Sequence, residues 1–249
     1  MINSSYVDMT DKVVLITGGS RGLGLAMARG FAENGAHVIV SSRKQEACEA
    51  AAEEIRAQGG SVLALPCHVG DWSALEELLE KALAWRGRID VLVNNAGISP
   101  VAPSSAEMTE ELFDKIIAVN FKGPFRLSAL VGEQMKQQGG GSIINITSTG
   151  AIRPEPAYNV YAAAKGALNI MTRSQAMEYG PTVRVNAIMA GPFWTDIAKS
   201  WREQADRDSP SAVGRIGRPQ EIVSTAFYLA SPTSSYTTGA VIQLDGGLL

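Results

Sequence analysis

The sequence predicts an α/β fold in which a parallel sheet is covered by helices on both faces. Apolar segments of strand length recur along the chain, separated by segments with the 3.6-residue period of a helix. The chain has 249 residues and contains no linker, internal repeat or low-complexity tract, which is typical of one large domain. We therefore expect a single-domain, three-layer sandwich built on a seven-stranded parallel sheet.

Seven apolar segments are the expected strands, at residues 12–17, 36–41, 61–67, 89–94, 141–147, 182–188 and 240–244. Between them, helical spacing is clearest in an acidic stretch whose apolar stripe consists of Leu75, Leu78, Leu79, Ala82 and Leu83. Glycines at 139–141 predict a helix-to-strand turn rather than a domain boundary. The stretch 193–218 has no clear period, although it carries Trp194, Ile197 and Trp201, and we expect it to be a substrate flap.

Composition excludes several classes of protein. With 45% hydrophobic and 19% charged residues and no long apolar window, the chain is neither disordered nor embedded in a membrane. Its net charge of −3 offers no field to attract nucleic acid or anionic lipid, so small molecules and copies of itself are the expected partners. Cys48 and Cys67 have no partner motif and are expected to be free thiols, and the first residues lack a signal-peptide pattern, which favours the cytoplasm.

A glycine-rich turn, TGGSRGLG at 17–24, follows the first strand and leads into a helix. Such glycines let the backbone approach a diphosphate, and the unpaired N–H groups of the first helical turn point at its charge. The spacing differs from the common Gly-x-Gly-x-x-Gly, so a purely structural turn is the alternative. Arg21 either contacts a phosphate or is a solvated surface residue. The candidate cofactor-binding residues of this turn are Gly18, Ser20, Arg21, Gly22, Leu23 and Gly24.

The end of the second strand indicates which dinucleotide is bound. A site that prefers NAD presents an acidic side chain to the ribose about 20 residues beyond the glycines. This chain has Ser42 and Arg43 there, which can hydrogen-bond and pair with a 2′-phosphate. The sequence therefore favours NADP(H) over NAD(H).

Three residues near the fifth strand suggest carbonyl chemistry. Ser148 follows that strand, and Tyr161 and Lys165 are four residues apart, on one face of a predicted helix. A neighbouring ammonium is expected to lower the pKa of a phenol and make it an effective acid or base, while a serine hydroxyl holds the substrate oxygen. The alternatives are a chance Tyr–Lys spacing and a serine that only caps a turn.

Together these features resemble the short-chain dehydrogenase/reductase family, and the resemblance extends from Lys12 to Gly247. It includes the glycine turn, Asn120, the Ser148–Tyr161–Lys165 set and the segments 94–97, 186–195 and 238–247.

The resemblance implies a single Rossmann-type domain and a catalytic set of Asn120, Ser148, Tyr161 and Lys165, with Asn120 supporting a water-borne proton relay to the lysine. Lys165 and Tyr161 would also contact the cofactor, and no metal is needed. Further implied cofactor contacts are Asn95, Ala96, Gly97, Gly191 and Thr195. Family members of this length commonly form homotetramers through helices that correspond to 114–135 and 161–179.

Two departures from the family pattern affect the cofactor site and the flap. His68 and Val69 stand where the family usually has an aspartate and a small apolar residue near the adenine. For His68, a cofactor contact and a plain position at the strand end are equally open. Ala190 replaces the usual proline before Gly191, which loosens the turn that leads to the flap.

The family implies a secondary alcohol or its ketone as substrate. Substrate contacts are expected from 98–105, from 149–158 and from 193–201, with Ile152, Phe193, Trp194 and Trp201 as an apolar wall and Arg153 and Glu155 near its rim. A moderately hydrophobic ketone or 3-oxoacyl-type compound is favoured. The alternatives are a polyol or sugar dehydrogenase of the same family, and a non-catalytic NADP(H)-binding sensor.

Overall fold

The computed structural model describes residues 8–195, 209 and 211–248. Seven strands form one sheet in the order β3-β2-β1-β4-β5-β6-β7, and every pair is parallel. The strands are β1 Val13–Thr17, β2 His37–Ser42, β3 Ser61–Pro66, β4 Val91–Asn94, β5 Gly141–Ser148, β6 Val183–Ala190 and β7 Val241–Leu244. This arrangement confirms the predicted seven-stranded parallel sheet, with ends that differ by one or two residues.

Helices cover both faces of the sheet and form the outer layers of the sandwich. The helices are α1 Gly22–Glu33, α2 Gln45–Ala57, α3 Ala74–Arg86, α4 Glu110–Ile117, α5 Gly123–Gln137, α6 Asn159–Tyr179 and α7 Val223–Ala230. In β1, Val14 and Ile16 pack under α1, α2 and α7, whereas Val13 and Leu15 pack under α3, α5 and α6. All five residues of β1 are buried, which explains why this strand is continuously apolar rather than alternating.

The helical region expected around 114–135 is divided into two α-helices by a wider π turn, Ala118–Lys122. Asn120 lies in this turn, and its side-chain amide donates to the carbonyl oxygens of Ile116 and Ile98, each at 2.9 Å. A side chain that takes up a backbone acceptor competes with the regular helical ladder, which accounts for the local widening.

Several expectations from composition can be compared with the described residues. Cys48 and Cys67 are buried free thiols, as predicted. No helix within 8–195 or 211–248 has the length and apolar character needed to cross a membrane. Of the expected flap, 196–208 and 210, which include Ile197 and Trp201, lie outside the described residues.

Close helix packing depends on a glycine in α5. A Cβ atom on Gly132 would lie 2.8 Å from Cε2 of Tyr179, which is itself buried in the core on the α3 side. By contrast, a Cβ atom on Gly166 in α6 would have its nearest neighbour 4.0 Å away.

Gly132→Ala should therefore lower the free energy of unfolding by about 1–3 kcal/mol, since overpacking exceeds the gain in helix propensity. Its matched control, Gly166→Ala, should leave stability unchanged or raise it by up to about 1 kcal/mol. Urea unfolding followed by circular dichroism measures both. Equal effects of the two substitutions would contradict this account of the α5–α6 contact.

Candidate active site

The predicted site residues gather along the carboxyl ends of the strands, on both sides of the junction between β1 and β4. The chain order of the strands reverses at this junction, because β1 continues to β2 on one side and lies beside β4 on the other. Crevices at such reversals bind ligands in open parallel sheets, since the loops that leave the two strands diverge there.

The glycine turn after β1 is tightly packed. Gly18 has a φ of 63°, in the left-handed region that favours glycine. A Cβ atom on Gly24 would lie 2.3 Å from the carbonyl oxygen of Gly18, so the first turn of α1 can approach the loop only without a side chain there. Ser20 is partly buried in the turn, and Leu23 packs against the core.

The N-terminus of α1 fits a diphosphate. No side chain caps this end, and the first helical turn contains no acidic residue. Free N–H groups and the helix dipole therefore face the space above the glycine turn, where an anion is stabilised. These residues fit the dinucleotide that the sequence predicts.

Asn95 has a role that the sequence did not reveal. Its side-chain amide donates to the carbonyl oxygens of Thr17 at 2.9 Å and Gly18 at 3.1 Å, so it clamps the glycine turn from the β4 side. The hydroxyl of Thr17, a residue that was not singled out as a site residue, accepts hydrogen bonds from the backbone N–H groups of Asn95 and Ala96, both at 3.1 Å. The available signal in the sequence was a threonine at the end of an otherwise apolar strand, directly before the glycine turn.

Arg43 lies just after the end of β2 and is exposed. Its side chain makes no hydrogen bond or ion pair with another of the described residues. Oγ of Ser42 lies 3.1 Å from Sγ of Cys48, so its hydroxyl is already engaged within the protein. Arg21 is exposed at the N-terminus of α1, and its side chain also interacts with other residues of the protein.

His68 lies in a turn after β3. Its Nδ1 accepts a hydrogen bond from the backbone N–H of Gly70 at 3.1 Å, which leaves Nε2 as the position for a proton in the neutral ring. The imidazole is exposed, whereas Val69 is buried. The carbonyl oxygen of Val69 lies so close to Gly123 that a Cβ atom added there would be only 2.2 Å away. His68 thus shapes this turn, and its Nε2 edge is the part that remains open to a ligand.

Asn120 and Lys165 meet at Gly97. A Cβ atom on Gly97 would lie 3.0 Å from Oδ1 of Asn120 and 3.6 Å from Nζ of Lys165. Asn120 is fully buried, and its Oδ1 also accepts from the N–H of Ile98 at 3.2 Å. Lys165 donates to the carbonyl oxygen of Ile146 at 2.9 Å, and its burial lowers its pKa to about 8.

Tyr161 lies beside Ser148, where β5 ends and α6 begins. Oγ of Ser148 and Cε1 of Tyr161 lie 3.4 and 3.8 Å from the place where a Cβ atom on Gly150 would be, and Nζ of Lys165 lies 5.8 Å from the centre of the Tyr161 ring. The expectation of a lowered phenol pKa is wrong for this structure. Burial raises the pKa of Tyr161, and the hydrogen bond from Ser148 offsets that rise only in part.

A buried chain of polar side chains lies beneath the site and joins β4 and β5 to the helices that cover them. The Asn94 amide donates to Ser128 at 2.8 Å and to Oδ1 of Asn145 at 2.9 Å, and the Asn145 amide donates to Thr172 at 2.9 Å. Satisfied buried networks are rigid, because breaking one bond leaves a polar group without water. The network therefore sets the position of β5 relative to α6.

The segment after β6 reaches back over the glycine turn. A Cβ atom on Gly22 would lie 3.4 Å from Cβ of Thr195, so Thr195 faces the predicted diphosphate site. Gly191 lies against Asp245, because a Cβ atom added to Gly191 would be 2.5 Å from Cβ of Asp245. Phe193, expected in an apolar wall, is buried in the core and packs its ring against Gly217, so it offers little surface to a substrate.

Within the described residues, no group of three or more His, Cys, Asp or Glu side chains is placed to hold a metal ion.

Comparison with known proteins agrees with this geometry. The family described as enoyl-(acyl carrier protein) reductase matches residues 18–249. Dehydrogenase/reductase SDR family member 4 of Homo sapiens is 34% identical over 244 residues, which are 96% of this chain and 88% of that protein. The 3-oxoacyl-(acyl-carrier-protein) reductase FabG of Thermotoga maritima is 39% identical over 241 residues, 96% of this chain and 98% of that protein.

Solved structures are similar over almost the whole chain. A 7 alpha-hydroxysteroid dehydrogenase complexed with NADH and 7-oxo glycochenodeoxycholic acid has a TM-score of 0.94 at 32% identity, covering 100% of this chain and 98% of that one. Actinorhodin polyketide ketoreductase with NADPH has a TM-score of 0.90 at 29% identity, covering 96% and 97%. With the Rossmann-type sheet and the matched family, these likenesses lead to one conclusion: the chain belongs to the short-chain dehydrogenase/reductase family of oxidoreductases.

Proposed function

We propose that this protein is an NADP(H)-dependent reductase of ketones, working between a secondary alcohol and its carbonyl compound. The observation that carries the proposal is the meeting of Ser148, Tyr161 and Lys165 beside Gly97, along the same sheet edge as the glycine turn. A bound nicotinamide would supply or accept the hydride.

The chain's own residues supply the proton and hold the substrate oxygen. The hydroxyl of Ser148 binds the carbonyl oxygen, and Tyr161 gives it a proton as negative charge develops there. Because burial raises the pKa of Tyr161, the phenol stays protonated at neutral pH, which suits the direction of ketone reduction. Lys165 would hold the ribose of a bound cofactor, and its ammonium stabilises the phenolate that remains after proton transfer.

NADP(H) is proposed as the cofactor because of the charge at the end of β2. Arg43 is exposed there with no acidic neighbour in sequence, and Arg21 lies at the N-terminus of α1. A 2′-phosphate between two guanidinium groups would make charge-assisted hydrogen bonds. The solved relatives include one with NADH and one with NADPH, so the family alone does not decide this preference.

A neutral, moderately hydrophobic ketone is the proposed substrate class. Ile152, with 54% of its surface exposed, offers an apolar side next to the Ser148–Gly150 segment. The similar proteins include a hydroxysteroid dehydrogenase complexed with 7-oxo glycochenodeoxycholic acid and a polyketide ketoreductase, and both names denote proteins that act on carbonyl or alcohol groups of larger molecules.

A homotetramer is the proposed assembly. The outer face of α6 exposes Ile170 and Met177, and α4 and α5 expose Phe113 and Phe125. Large exposed apolar side chains on adjacent helices favour burial against another copy.

Tyr161→Phe keeps the ring but removes the proton donor, so kcat should fall at least about 100-fold while the Kd for NADPH changes little. Tyr236→Phe, at a fully exposed tyrosine, is the matched control and should retain wild-type turnover. Steady-state absorbance of NADPH and fluorescence titration measure the two quantities. Full activity of the Tyr161 variant would refute the proposed mechanism.

The pH dependence of ketone reduction should reveal the ionisation of Lys165. Because burial lowers its pKa to about 8, the ammonium is present below that pH and is lost above it. The kcat/KM for NADPH, which reflects the cofactor-free enzyme, should be level at neutral pH and decrease as the pH rises through about 8. The raised pKa of Tyr161 places its own ionisation higher.

In the control variant Lys165→Arg, which keeps a permanent cation, the residual activity should lose this break. A break near pH 8 that persists in Lys165→Arg would assign the ionisation to another group.

Arg43→Asp should reverse the cofactor preference. A carboxylate repels the 2′-phosphate and can accept from a ribose hydroxyl, so the ratio of kcat/KM for NADPH to that for NADH should fall at least about 100-fold. Arg56→Asp, on the far end of α2, is the control and should leave the ratio unchanged. If the ratio of the Arg43 variant equals that of the wild type, another residue selects the cofactor.

A further inference from the structure

The segment between β5 and α6 forms one side of the proposed substrate site and is held by its own backbone. The N–H groups of Ile152 and Arg153 both donate to the carbonyl oxygen of Thr149, at 3.0 and 2.9 Å. Further along, the N–H of Tyr158 donates to the carbonyl oxygen of Glu155 at 3.2 Å and closes a short 3-10 turn. Glu155 is the N-cap of this turn, and Tyr158 is its last residue.

Tyr158 contacts the residues that are proposed to hold the reacting carbonyl. Its ring packs edge-on against the ring of Tyr161, with centroids 6.1 Å apart and an interplanar angle of 82°. A Cβ atom on Gly150 would lie 3.2 Å from Cε2 of Tyr158 and 3.4 Å from Oγ of Ser148. A carbonyl bound between Ser148 and Tyr161 would therefore have its substituents close to Tyr158.

Glu155 adds a negative charge to this side. The Glu155 carboxylate is exposed at the surface, three residues before Tyr158, and it is close enough to raise the pKa of the Tyr158 phenol. Burial and the neighbouring Glu155 carboxylate both raise the pKa of Tyr158, so the phenol keeps its proton at neutral pH. The carboxylate of Glu155 therefore lies on the Tyr158 side of the site.

No cation of the described residues cancels this charge by direct pairing. Arg153, two positions earlier, is exposed, and none of the ion pairs among residues 8–195 and 211–248 joins it to Glu155. Ile152 presents an apolar surface on the same segment. A ligand that approaches here meets an apolar side chain and one carboxylate.

We propose that the Glu155–Tyr158 pair is a specificity determinant that rejects carbonyl compounds with a carboxylate or phosphate close to the reacting carbon and admits neutral ones. The proposal rests on the proposed ketone reductase function. It narrows the substrate class, because like-charge repulsion at the rim of the site discriminates between substrates of the same shape.

Acetoacetate and its ethyl ester, both used with NADPH, provide a direct test because they share the reacting ketone and differ in charge. The wild-type protein should prefer the ester, and Glu155→Gln, which keeps the shape but removes the charge, should lower the ester-to-acid ratio of kcat/KM about 5- to 20-fold. Raising the salt concentration should shrink the wild-type ratio toward that of the variant, since ions screen an exposed charge.

Glu53→Gln on α2 is the matched control, because it removes the same charge from an exposed position on another part of the surface. Its ester-to-acid ratio should equal that of the wild type. An unchanged ratio in Glu155→Gln, an equal decrease in Glu53→Gln, or loss of ester turnover in Glu155→Gln would each overturn the proposal. If the wild-type protein reduces neither compound nor any other neutral ketone, the proposed function itself fails, which is a different outcome.

Discussion

The hydrogen bonds that join the end of β1 to the end of β4 are the constraint on which the site depends. Thr17 accepts from two backbone N–H groups of the β4 loop, and Asn95 returns two hydrogen bonds to the glycine turn. Without this lock the two loops would be free to separate at the point where the strand order reverses. These hydrogen bonds fix the distance between the uncapped N-terminus of α1 and Gly97, so the two ends of a dinucleotide have fixed anchoring points.

The second constraint is the placement of a lysine in the protein interior. Burying Lys165 lowers its pKa because the charged form loses water, and the hydrogen bond to Ile146 compensates only one of its three N–H groups. A bound cofactor ribose would offer acceptors for the remaining donors. The buried Asn94–Asn145–Thr172 chain holds β5 against α6, and so keeps Lys165 and Ser148 at a constant separation.

Much of the fold could be predicted because β1, β4 and β5 are buried on both faces, which leaves an unbroken apolar pattern in the sequence. Helical spacing likewise brought Tyr161 and Lys165 to one side of α6. The π turn at Asn120 could not be predicted, since it depends on a contact with Ile98, 22 residues away. The same is true of the clamp by Asn95, the burial of Phe193 and the raised pKa of Tyr161, all of which arise from tertiary packing that periodicity does not encode.

If the proposed function is right, NADPH should deliver a hydride to a ketone held next to Tyr161. The most direct test uses NADPH deuterated at the transferable position of the nicotinamide, with a neutral cyclic ketone as acceptor, and analyses the alcohol by mass spectrometry. We expect one deuterium on the carbinol carbon for each NADPH consumed, together with a primary isotope effect on a single turnover. Tight binding of NADPH without transfer of the label to any neutral ketone would contradict it.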